Sequence, residues 1–171
     1  DGGSPGFPSK DESEHDLLDT SHGGASLSVA SGLAISNKIE GLDGLPVAII
    51  GDSALGEGMA LEALNHIGYA KPKMLIILND NGWAITENET AIKSYLSERN
   101  IESSTSEGFF TSLGLNYSGP IDGHDLDSLI KNLQDIKKNV HGPMILHVKT
   151  EKGYGVDFPE DKEIGVIYHL G

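Results

Sequence analysis

Two apolar runs constrain the fold of this chain more than any other feature of its sequence. The first, LPVAIIGD, ends at Asp52, and the second, KMLIILND, ends at Asp80. Both are short, continuous and rich in β-branched residues, which is typical of strands buried on both faces of a parallel sheet. Between them, apolar residues recur at helical spacing as far as Gly68. A strand, a helix and a second strand in this order predict a βαβ unit with a right-handed crossover.

Three more elements extend this pattern along the chain. The stretch SLSVASGLAISNKIEG, which ends at Gly41, has one apolar helical face and a terminal glycine. Asp125 can cap an amphipathic helix over residues 126–138, and PMILHVKT has the pattern of a third buried strand. We therefore expect a single domain over residues 1–171 with a three-layer α/β/α fold and a mainly parallel sheet. In the helix of the βαβ unit, three apolar residues are expected to face the core: Met59, Leu61 and Leu64.

The composition argues against several classes of protein. A chain of 171 residues has the length of one ordinary domain, and its formal net charge of −14, with no cluster of Lys or Arg, would repel a nucleic-acid backbone. The absence of cysteine removes disulfides and thiolate sites, so that any metal must be bound by oxygen or imidazole. No apolar run is long enough to span a bilayer, and the first residues are unlike a signal peptide. These features favour a cytoplasmic protein that binds neither nucleic acid nor membrane.

Two segments lack a hydrophobic pattern. Residues 1–16 are rich in Gly, Pro, Ser and acidic residues, and we expect an extended segment that lies over the surface. From Asn88 to Gly108 polar residues dominate, which indicates an exposed and mobile connection. The composition of this connection does not indicate a function.

Polar residues follow both strands of the βαβ unit. Asp52 ends the first apolar run, and Asn79, Asp80 and Asn81 end the second. Because ligands of open α/β sheets bind outside the carboxyl ends of the strands, these residues can share one ligand. Carboxylate and amide oxygens are ligands that Mg²⁺ prefers, and a helix that starts after Ser53 would aim free N–H groups at the same point. The sequence thus favours a site for Mg²⁺ and a diphosphate.

Two other interpretations stay open for these residues. Asp52 can simply cap the following helix while the asparagines form a turn. Ser53, within Gly-Asp-Ser, can also be the nucleophile of a GDSL-type hydrolase, which needs a downstream Asp-x-x-His to activate the serine. The one Asp-x-x-His in the sequence, Asp19 to His22, lies upstream of Ser53, and this order argues against the hydrolase.

One long stretch resembles the thiamin-diphosphate motif, in which Gly-Asp-Gly is followed after a helix and a strand by an Asn pair: GDSALGEGMALEALNHIGYAKPKMLIILNDN. Three further stretches extend the resemblance in family order along nearly the whole chain: ESEHDLLDTSHGGASLSVASGLA, LGLNYSGPIDGHDLDSLI and GPMILHVKTEKGYG. Together they are similar to the transketolase-like superfamily and, within it, most like the 1-deoxy-D-xylulose-5-phosphate synthases.

The resemblance implies roles for particular residues. It implies that Mg²⁺ is held by the carboxylate of Asp52, the side chain of Asn81 and the backbone carbonyl of Trp83. It implies that thiamin diphosphate contacts the following residues: His22, Gly23, Gly24, Gly51, Asp52, Ser53, Ala54 and Asn81. It also makes His169, in the terminal YHLG, the candidate catalytic residue, because the corresponding family histidine faces the substrate.

The resemblance also implies a reaction and partners. Family members condense pyruvate with glyceraldehyde 3-phosphate, with loss of CO₂, for the biosynthesis of isoprenoids and thiamine. They are homodimers of the cytoplasm, or of a plastid-type organelle in eukaryotes, and a second, pyrimidine-binding domain supplies a glutamate that activates the cofactor. Nothing in this chain resembles that domain. We therefore expect a diphosphate-binding part of a larger transferase, inactive as an isolated chain.

The chain departs from the family pattern at several places, among them Val156, where the family has an aromatic residue. Ser53 replaces a glycine and adds a side chain where the backbone approaches the cofactor. The stretch SHGGAS, around His22, lacks hydroxyls of the family's Gly-His-Ser-Ser-Thr-Ser, and the connection that begins at Asn88 is shorter. These departures leave open a non-catalytic binding module that has kept the fold and lost the cofactor. Within the superfamily, the alternatives are another transketolase-like enzyme and a 2-oxo acid dehydrogenase subunit.

Overall fold

The structure, a computed structural model, describes residues 7–14, 16–98, 108–155 and 157. Its elements follow in the order α1 (Ala25–Glu40), β1 (Val47–Gly51), α2 (Asp52–Leu55), α3 (Gly58–Ala70), β2 (Met74–Asp80), α4 (Ala91–Ser97), α5 (Phe109–Ser112), β3 (Asn116–Asp122), α6 (Leu126–Asn139) and β4 (Pro143–Lys149). The four strands are parallel and lie in the order β1-β2-β4-β3. The predicted α/β fold with a parallel sheet is confirmed.

The strand register determines where the polar residues lie. Gly51, the last residue of β1, pairs with Asn79 of β2, and Asp80 pairs with Lys149 of β4. The carboxyl ends of these strands therefore share one edge of the sheet, which is where ligands of such sheets bind. The residues that follow β1 and β2 are brought together at this edge.

Helices cover the two faces of the sheet with cores of unequal size. On one face, α1, α3 and α5 bury a large cluster that includes Leu27, Leu64, Ile76, Phe110 and Ile145. On the other face, α6 buries a smaller cluster of Leu75, Ile136, Val140, Leu146 and Val148. Since full burial of one such aliphatic side chain contributes about 1.5–3 kcal/mol, the first face supplies most of the hydrophobic stabilisation.

Strand β1 differs from its prediction, because it is not buried on both faces. Val47 is 48% exposed and Ile49 is 66% exposed, whereas the alternate residues Ala48 and Ile50 are buried. Within the described sheet β1 is an edge strand, and α6 packs against β3, at the opposite edge. The apolar run therefore predicted the strand correctly, but the prediction that both of its faces are buried was wrong.

Helix α3 buries only part of the apolar face that was expected to meet the core. Leu64 is fully buried, but Met59 is 46% exposed and Leu61 is 37% exposed. The buried face instead carries small residues, Ala60 and Ala63, next to Leu64. These small side chains allow α3 to pack closely on α1, and the larger residues lie at the margins of the contact.

The connection expected from Asn88 to Gly108 is less exposed than its composition indicated. Asn88 is 4% exposed, and α4 buries Leu96 at 1% exposure. The side chain of Thr90 caps α4 by accepting a hydrogen bond of 3.2 Å from the N–H of Lys93. Residues 99–107 lie outside the described part of the chain. Among the described residues, no helix has the length and apolarity needed to cross a membrane.

Candidate functional site

Asp52 occupies a buried position directly after β1. Only 1% of the residue is exposed. Its Oδ2 accepts a hydrogen bond of 2.8 Å from the side-chain amide of Asn88, and its Oδ1 accepts a long one of 3.4 Å from the backbone N–H of Asn81. Both donors are neutral, and in the described part of the chain no basic side chain forms an ion pair with Asp52, although the charge of Lys93 interacts with it at longer range. A buried carboxylate with only neutral donors is strongly favoured as a partner for a cation.

The loop after β2 holds Asn81 beside this carboxylate. The Oδ1 of Asn81 accepts a hydrogen bond of 3.0 Å from the N–H of Trp83, which leaves a second lone pair on the same oxygen. Gly82, between them, has a φ of 71°, a left-handed conformation that glycine adopts readily. The N–H of Asn88 then donates to the carbonyl of Gly82 at 3.0 Å and closes the loop. Asp52, Asn81 and Trp83 are thus brought into one compact region.

Two lysines fix the outer side of this loop. The Nζ of Lys152 donates to the carbonyl of Ala84 at 2.9 Å and lies 5.5 Å from the ring centre of Trp83. The Nζ of Lys93 forms an ion pair of 2.8 Å with Glu87. The hydrogen bond in this pair is the main cause that raises the pKa of Lys93 and lowers the pKa of Glu87. The loop is therefore held at both ends and along its outer edge.

The chemistry of these donors fits Mg²⁺. In the ranges that the structure describes, no three His, Cys, Asp or Glu side chains gather in a metal-binding group. A cation at Asp52 would instead use one carboxylate, the amide oxygen of Asn81 and a backbone carbonyl. These hard oxygens suit Mg²⁺, which keeps its other positions for water and phosphate oxygens.

A cleft of about 480 Å³ lies beside the carboxyl end of β1. Five of the residues predicted to contact the cofactor line it: His22, Gly23, Gly24, Gly51 and Ala54. The rest of the lining is mixed, with apolar side chains such as Val29 and Ile49 beside polar ones such as Asp16. A Cβ placed on Gly51 would meet open space, so the backbone there can be approached closely. Asp52, Ser53 and Asn81 are not part of this lining.

Glu57 contacts the two glycines of the cleft, a feature that the sequence did not reveal. A Cβ on Gly23 would overlap the carboxylate of Glu57, and a Cβ on Gly24 would lie 3.2 Å from it. Gly24 has a φ of 75° and caps α1, a conformation that other residues rarely adopt. An acidic group therefore lies against residues predicted to face an anionic cofactor.

The helix expected to start after Ser53 is interrupted. Helix α2 has only 4 residues, Asp52–Leu55, and α3 begins separately at Gly58. The aligned peptide dipoles that a long helix would direct at Asp52 are therefore reduced to one short turn. Ser53 lies within α2, and a helical backbone accepts serine without strain.

A second buried polar cluster lies at the ends of β2 and β4. His147 is fully buried, and its Nε2 lies 2.8 Å from the Oδ2 of Asp80, whose side chain is 10% exposed. The Nδ1 of His147 lies 2.6 Å from the hydroxyl of Tyr117, and the Tyr117 ring stacks on Phe110. This cluster is not apparent from the sequence. The available signal was a histidine at an inward position of an otherwise apolar strand.

Two candidates from the sequence remain, His169 and Ser53, and His124 is a further histidine near the ends of the strands. His169 lies outside the described residues. The Nε2 of His124 accepts a hydrogen bond of 2.8 Å from the N–H of Glu151, which is a local role. In the described part of the chain, no hydrogen bond joins Ser53 to a histidine, so the Ser–His pair of a hydrolase is not formed there.

Comparison with known proteins identifies similar sequences over most of the chain. A family model described as 1-deoxy-D-xylulose-5-phosphate synthase matches residues 1–107 and 98–150. The chain is 40% identical over 203 residues to 1-deoxy-D-xylulose-5-phosphate synthase of Exiguobacterium sibiricum, covering 97% of this chain and 32% of that protein. It is 43% identical over 177 residues to the enzyme of the same name from Listeria monocytogenes, covering 99% of this chain and 29% of that protein. The resemblance noted from the motifs is confirmed.

The structure is similar to that of transketolase from Leishmania mexicana, with a TM-score of 0.58. The match covers 78% of this chain and 20% of the transketolase, at 21% sequence identity, and it therefore bears on the fold alone. This chain spans about a third of the length of the curated relatives, 32% and 29% for the two compared above.

Proposed function

The chain belongs to the 1-deoxy-D-xylulose-5-phosphate synthase family, and we propose that it is the part of such an enzyme that binds the diphosphate of thiamin diphosphate through Mg²⁺. The observation that carries this proposal is the buried carboxylate of Asp52. It is 1% exposed, it is paired only with neutral donors, and it lies next to Asn81 at the edge where β1 and β2 end. A divalent cation compensates such a charge, and it also offsets the repulsion between a diphosphate and a chain of net charge −14.

Each predicted residue has a part in this proposal. The side chains of Asp52 and Asn81 and the carbonyl of Trp83 would hold Mg²⁺. The backbone of Ser53 and Ala54 would face the diphosphate. The residues His22, Gly23, Gly24 and Gly51 would line the cleft in which the rest of the cofactor lies. Thiamin diphosphate, when bound, supplies the carbon nucleophile for the reaction, while the protein anchors and orients it.

For the complete protein we propose the condensation of pyruvate with glyceraldehyde 3-phosphate. The reaction joins two carbons of pyruvate to the aldehyde and releases the third as CO₂, giving 1-deoxy-D-xylulose 5-phosphate. The same proposal includes the other features that the family resemblance implies. These are His169 as the substrate-facing residue, a pyrimidine-binding domain, a homodimer and a cytoplasmic location. A transketolase-like enzyme with other substrates or a 2-oxo acid dehydrogenase subunit is a weaker candidate, because the family match covers residues 1–150.

A non-catalytic binding module is the second candidate, and one contact favours it. The carboxylate of Glu57 lies against Gly23 and Gly24, where it would repel a diphosphate. Ser53 adds bulk at a position where family members have glycine. A chain with both features can keep the fold while it binds the cofactor weakly.

An assay of the complete protein separates these candidates. Calorimetry measures the binding of thiamin diphosphate in Mg²⁺, and the protein is then incubated with the cofactor, Mg²⁺, pyruvate and glyceraldehyde 3-phosphate while CO₂ and the sugar phosphate are measured. We expect release of CO₂ together with formation of the sugar phosphate, and neither product from Asp52→Ala. Cofactor binding without product formation would favour another transketolase-type reaction, and absence of cofactor binding would favour the module.

A further inference from the structure

Asn88 is a buried polar residue that the proposed function does not use. It follows β2 within a polar stretch, yet only 4% of it is exposed. Its side-chain Nδ2 donates a hydrogen bond of 2.8 Å to the Oδ2 of Asp52, 36 positions away in sequence. It does not line the cleft.

The backbone around Asn88 is fixed independently of this hydrogen bond. The N–H of Asn88 donates to the carbonyl of Gly82 at 3.0 Å. On the other side, Thr90 caps α4, and Lys93 of the same helix pairs with Glu87. The backbone that carries Asn88 is therefore already in place, so that only its side-chain rotamer has to be fixed for the amide to reach Asp52.

The two oxygens of Asp52 are in different situations as a result. Oδ2 has a short hydrogen bond to Asn88, whereas Oδ1 has only the long hydrogen bond of 3.4 Å to the N–H of Asn81. A carboxylate can rotate about its Cβ–Cγ bond, and one firm hydrogen bond to a single oxygen stops that rotation. Because an amide donor is neutral, it fixes the carboxylate without removing its charge.

We propose that Asn88 is a positioning residue for the metal-binding carboxylate: it holds Oδ2 so that Oδ1 of Asp52 faces Asn81 and is free for a divalent cation. This inference rests on the proposed function of Asp52 as a ligand of Mg²⁺. Residues that orient a ligand in this way typically change metal affinity 10- to 100-fold when they are removed.

A set of matched variants tests the inference. Asn88→Leu keeps most of the side-chain volume and removes the donor, while Asn88→Ala removes both. Thr90→Ala is the control, because it removes a hydrogen bond from the same segment without contact to Asp52. For each protein, equilibrium dialysis at a fixed concentration of thiamin diphosphate gives the Mg²⁺ concentration at half-saturation. Thermal melting without Mg²⁺ reports the effect on the fold.

We expect both Asn88 variants to need about 10- to 100-fold more Mg²⁺ than the wild-type protein. Thr90→Ala should lower the melting temperature and leave the Mg²⁺ requirement unchanged. Wild-type affinity in Asn88→Leu, or an equal loss in Thr90→Ala, would overturn the role of Asn88 and leave the Mg²⁺ site intact. A wild-type protein that needs no Mg²⁺ would instead overturn the proposed function itself.

A crystal structure of the wild-type protein with Mg²⁺ and thiamin diphosphate decides the question if the Asn88 variants do not fold. The inference predicts that Nδ2 of Asn88 still donates to the Asp52 oxygen that does not touch the metal. An Asn88 side chain that binds the metal directly, or that has turned away from Asp52, would contradict it.

Discussion

Asp52 and Asp80 follow or end neighbouring strands at the same edge of the sheet, and both are largely buried, but their partners differ. Asp80 is bonded to His147, and His147 is in turn bonded to Tyr117. Asp52 is bonded only to the amide of Asn88 and the N–H of Asn81. The first carboxylate is bonded to β4 and, through His147, to β3, whereas the second is bonded only to the loop that follows β2. The comparison shows that two buried carboxylates at one edge of the sheet belong to different networks, one closed among the strands and one that reaches into the loop after β2.

The hydrogen bonds of the Asp80 cluster are complete in themselves. An ionised carboxylate only accepts hydrogen bonds, so Nε2 of His147 carries the proton that Asp80 accepts. Nδ1 can then accept from the hydroxyl of Tyr117. Each buried polar atom of the ring is satisfied within the protein, and such a cluster contributes to stability without offering a ligand site.

Breaking the Asp80 cluster should have the largest effect. His147→Leu keeps most of the volume and leaves Asp80 without its donor, so we expect a loss of about 3 kcal/mol in the free energy of unfolding. Urea unfolding of the variant measures it, with His66→Leu on the exposed side of α3 as a control. A His147→Leu protein as stable as wild type would mean that the cluster is not a stabilising unit.

Removing the charge of Asp52 should abolish stabilisation by ligand. At a concentration of thiamin diphosphate and Mg²⁺ about 100 times the dissociation constant, the wild-type protein should gain about 2.7 kcal/mol. Asp52→Asn should gain nothing, because the anionic ligand of Mg²⁺ is lost. Asp80→Asn should keep the gain, even though it is less stable without ligand. Thermal melts of the three proteins with and without ligand give the three gains, and a retained gain in Asp52→Asn would break the comparison.

A smaller change at the other end of the Asp80 cluster should lower the free energy of unfolding by less than His147→Leu does. Tyr117→Phe removes the hydroxyl that bonds to His147 and keeps the ring stacked on Phe110. The expected loss is about 1 kcal/mol, the usual value for one buried hydrogen bond. Denaturant unfolding checks the value, and ligand stabilisation should be unchanged. A loss as large as that of His147→Leu would show that Tyr117, not Asp80, is the essential partner.

Glu57 should weaken cofactor binding by a modest electrostatic effect. Glu57→Gln removes a negative charge beside Gly23 and Gly24, and we expect thiamin diphosphate to bind about threefold more tightly. The gain should shrink at high salt, because exposed charges are screened. Glu62→Gln, on the helix that follows Glu57 and with the same change in charge, is the control. An equal gain in cofactor affinity in both variants would mean that the effect comes from the net charge of the protein and not from the position of Glu57.

The exposed pair of Lys93 and Glu87 should have the smallest effect. Hydrogen bonding to Lys93 lowers the pKa of Glu87, so this stabilisation is present above the ordinary value of 4.5 and is lost as pH falls through the lowered pKa. The pKa of Lys93 is raised, so its part is present below 10.5 and is lost as pH rises through the raised pKa. Glu87→Gln should therefore lower the melting temperature slightly near neutral pH and not at all in strong acid. A loss of stability as large as that of Tyr117→Phe would contradict the expectation that an ion pair at the surface contributes little.

Features that depend on local sequence were predictable. The βαβ unit followed from apolar periodicity, and the cap of α6 followed from Asp125, whose Oδ1 accepts a hydrogen bond of 3.0 Å from the N–H of Ser128. The proximity of Asp52 and Asn81 followed from topology, because parallel strands joined by one helix end at the same edge.

Features that depend on distant partners were not predictable. Asn88 reads as one polar residue in a polar run, and its partner lies 36 positions earlier. Asp80 and His147 are 67 positions apart, and only strand order brings them together. The exposure of Ile49 likewise depends on where α6 packs, and the sequence of β1 alone does not indicate this.

The cation dependence of thiamin diphosphate binding tests the central claim most directly. Calorimetric titration of the wild-type protein with the cofactor is carried out in Mg²⁺ and again in excess EDTA. The account predicts saturable binding in Mg²⁺ and none in EDTA, because the diphosphate is tethered through a cation at Asp52. Equal binding under both conditions, or no binding under either, would contradict it.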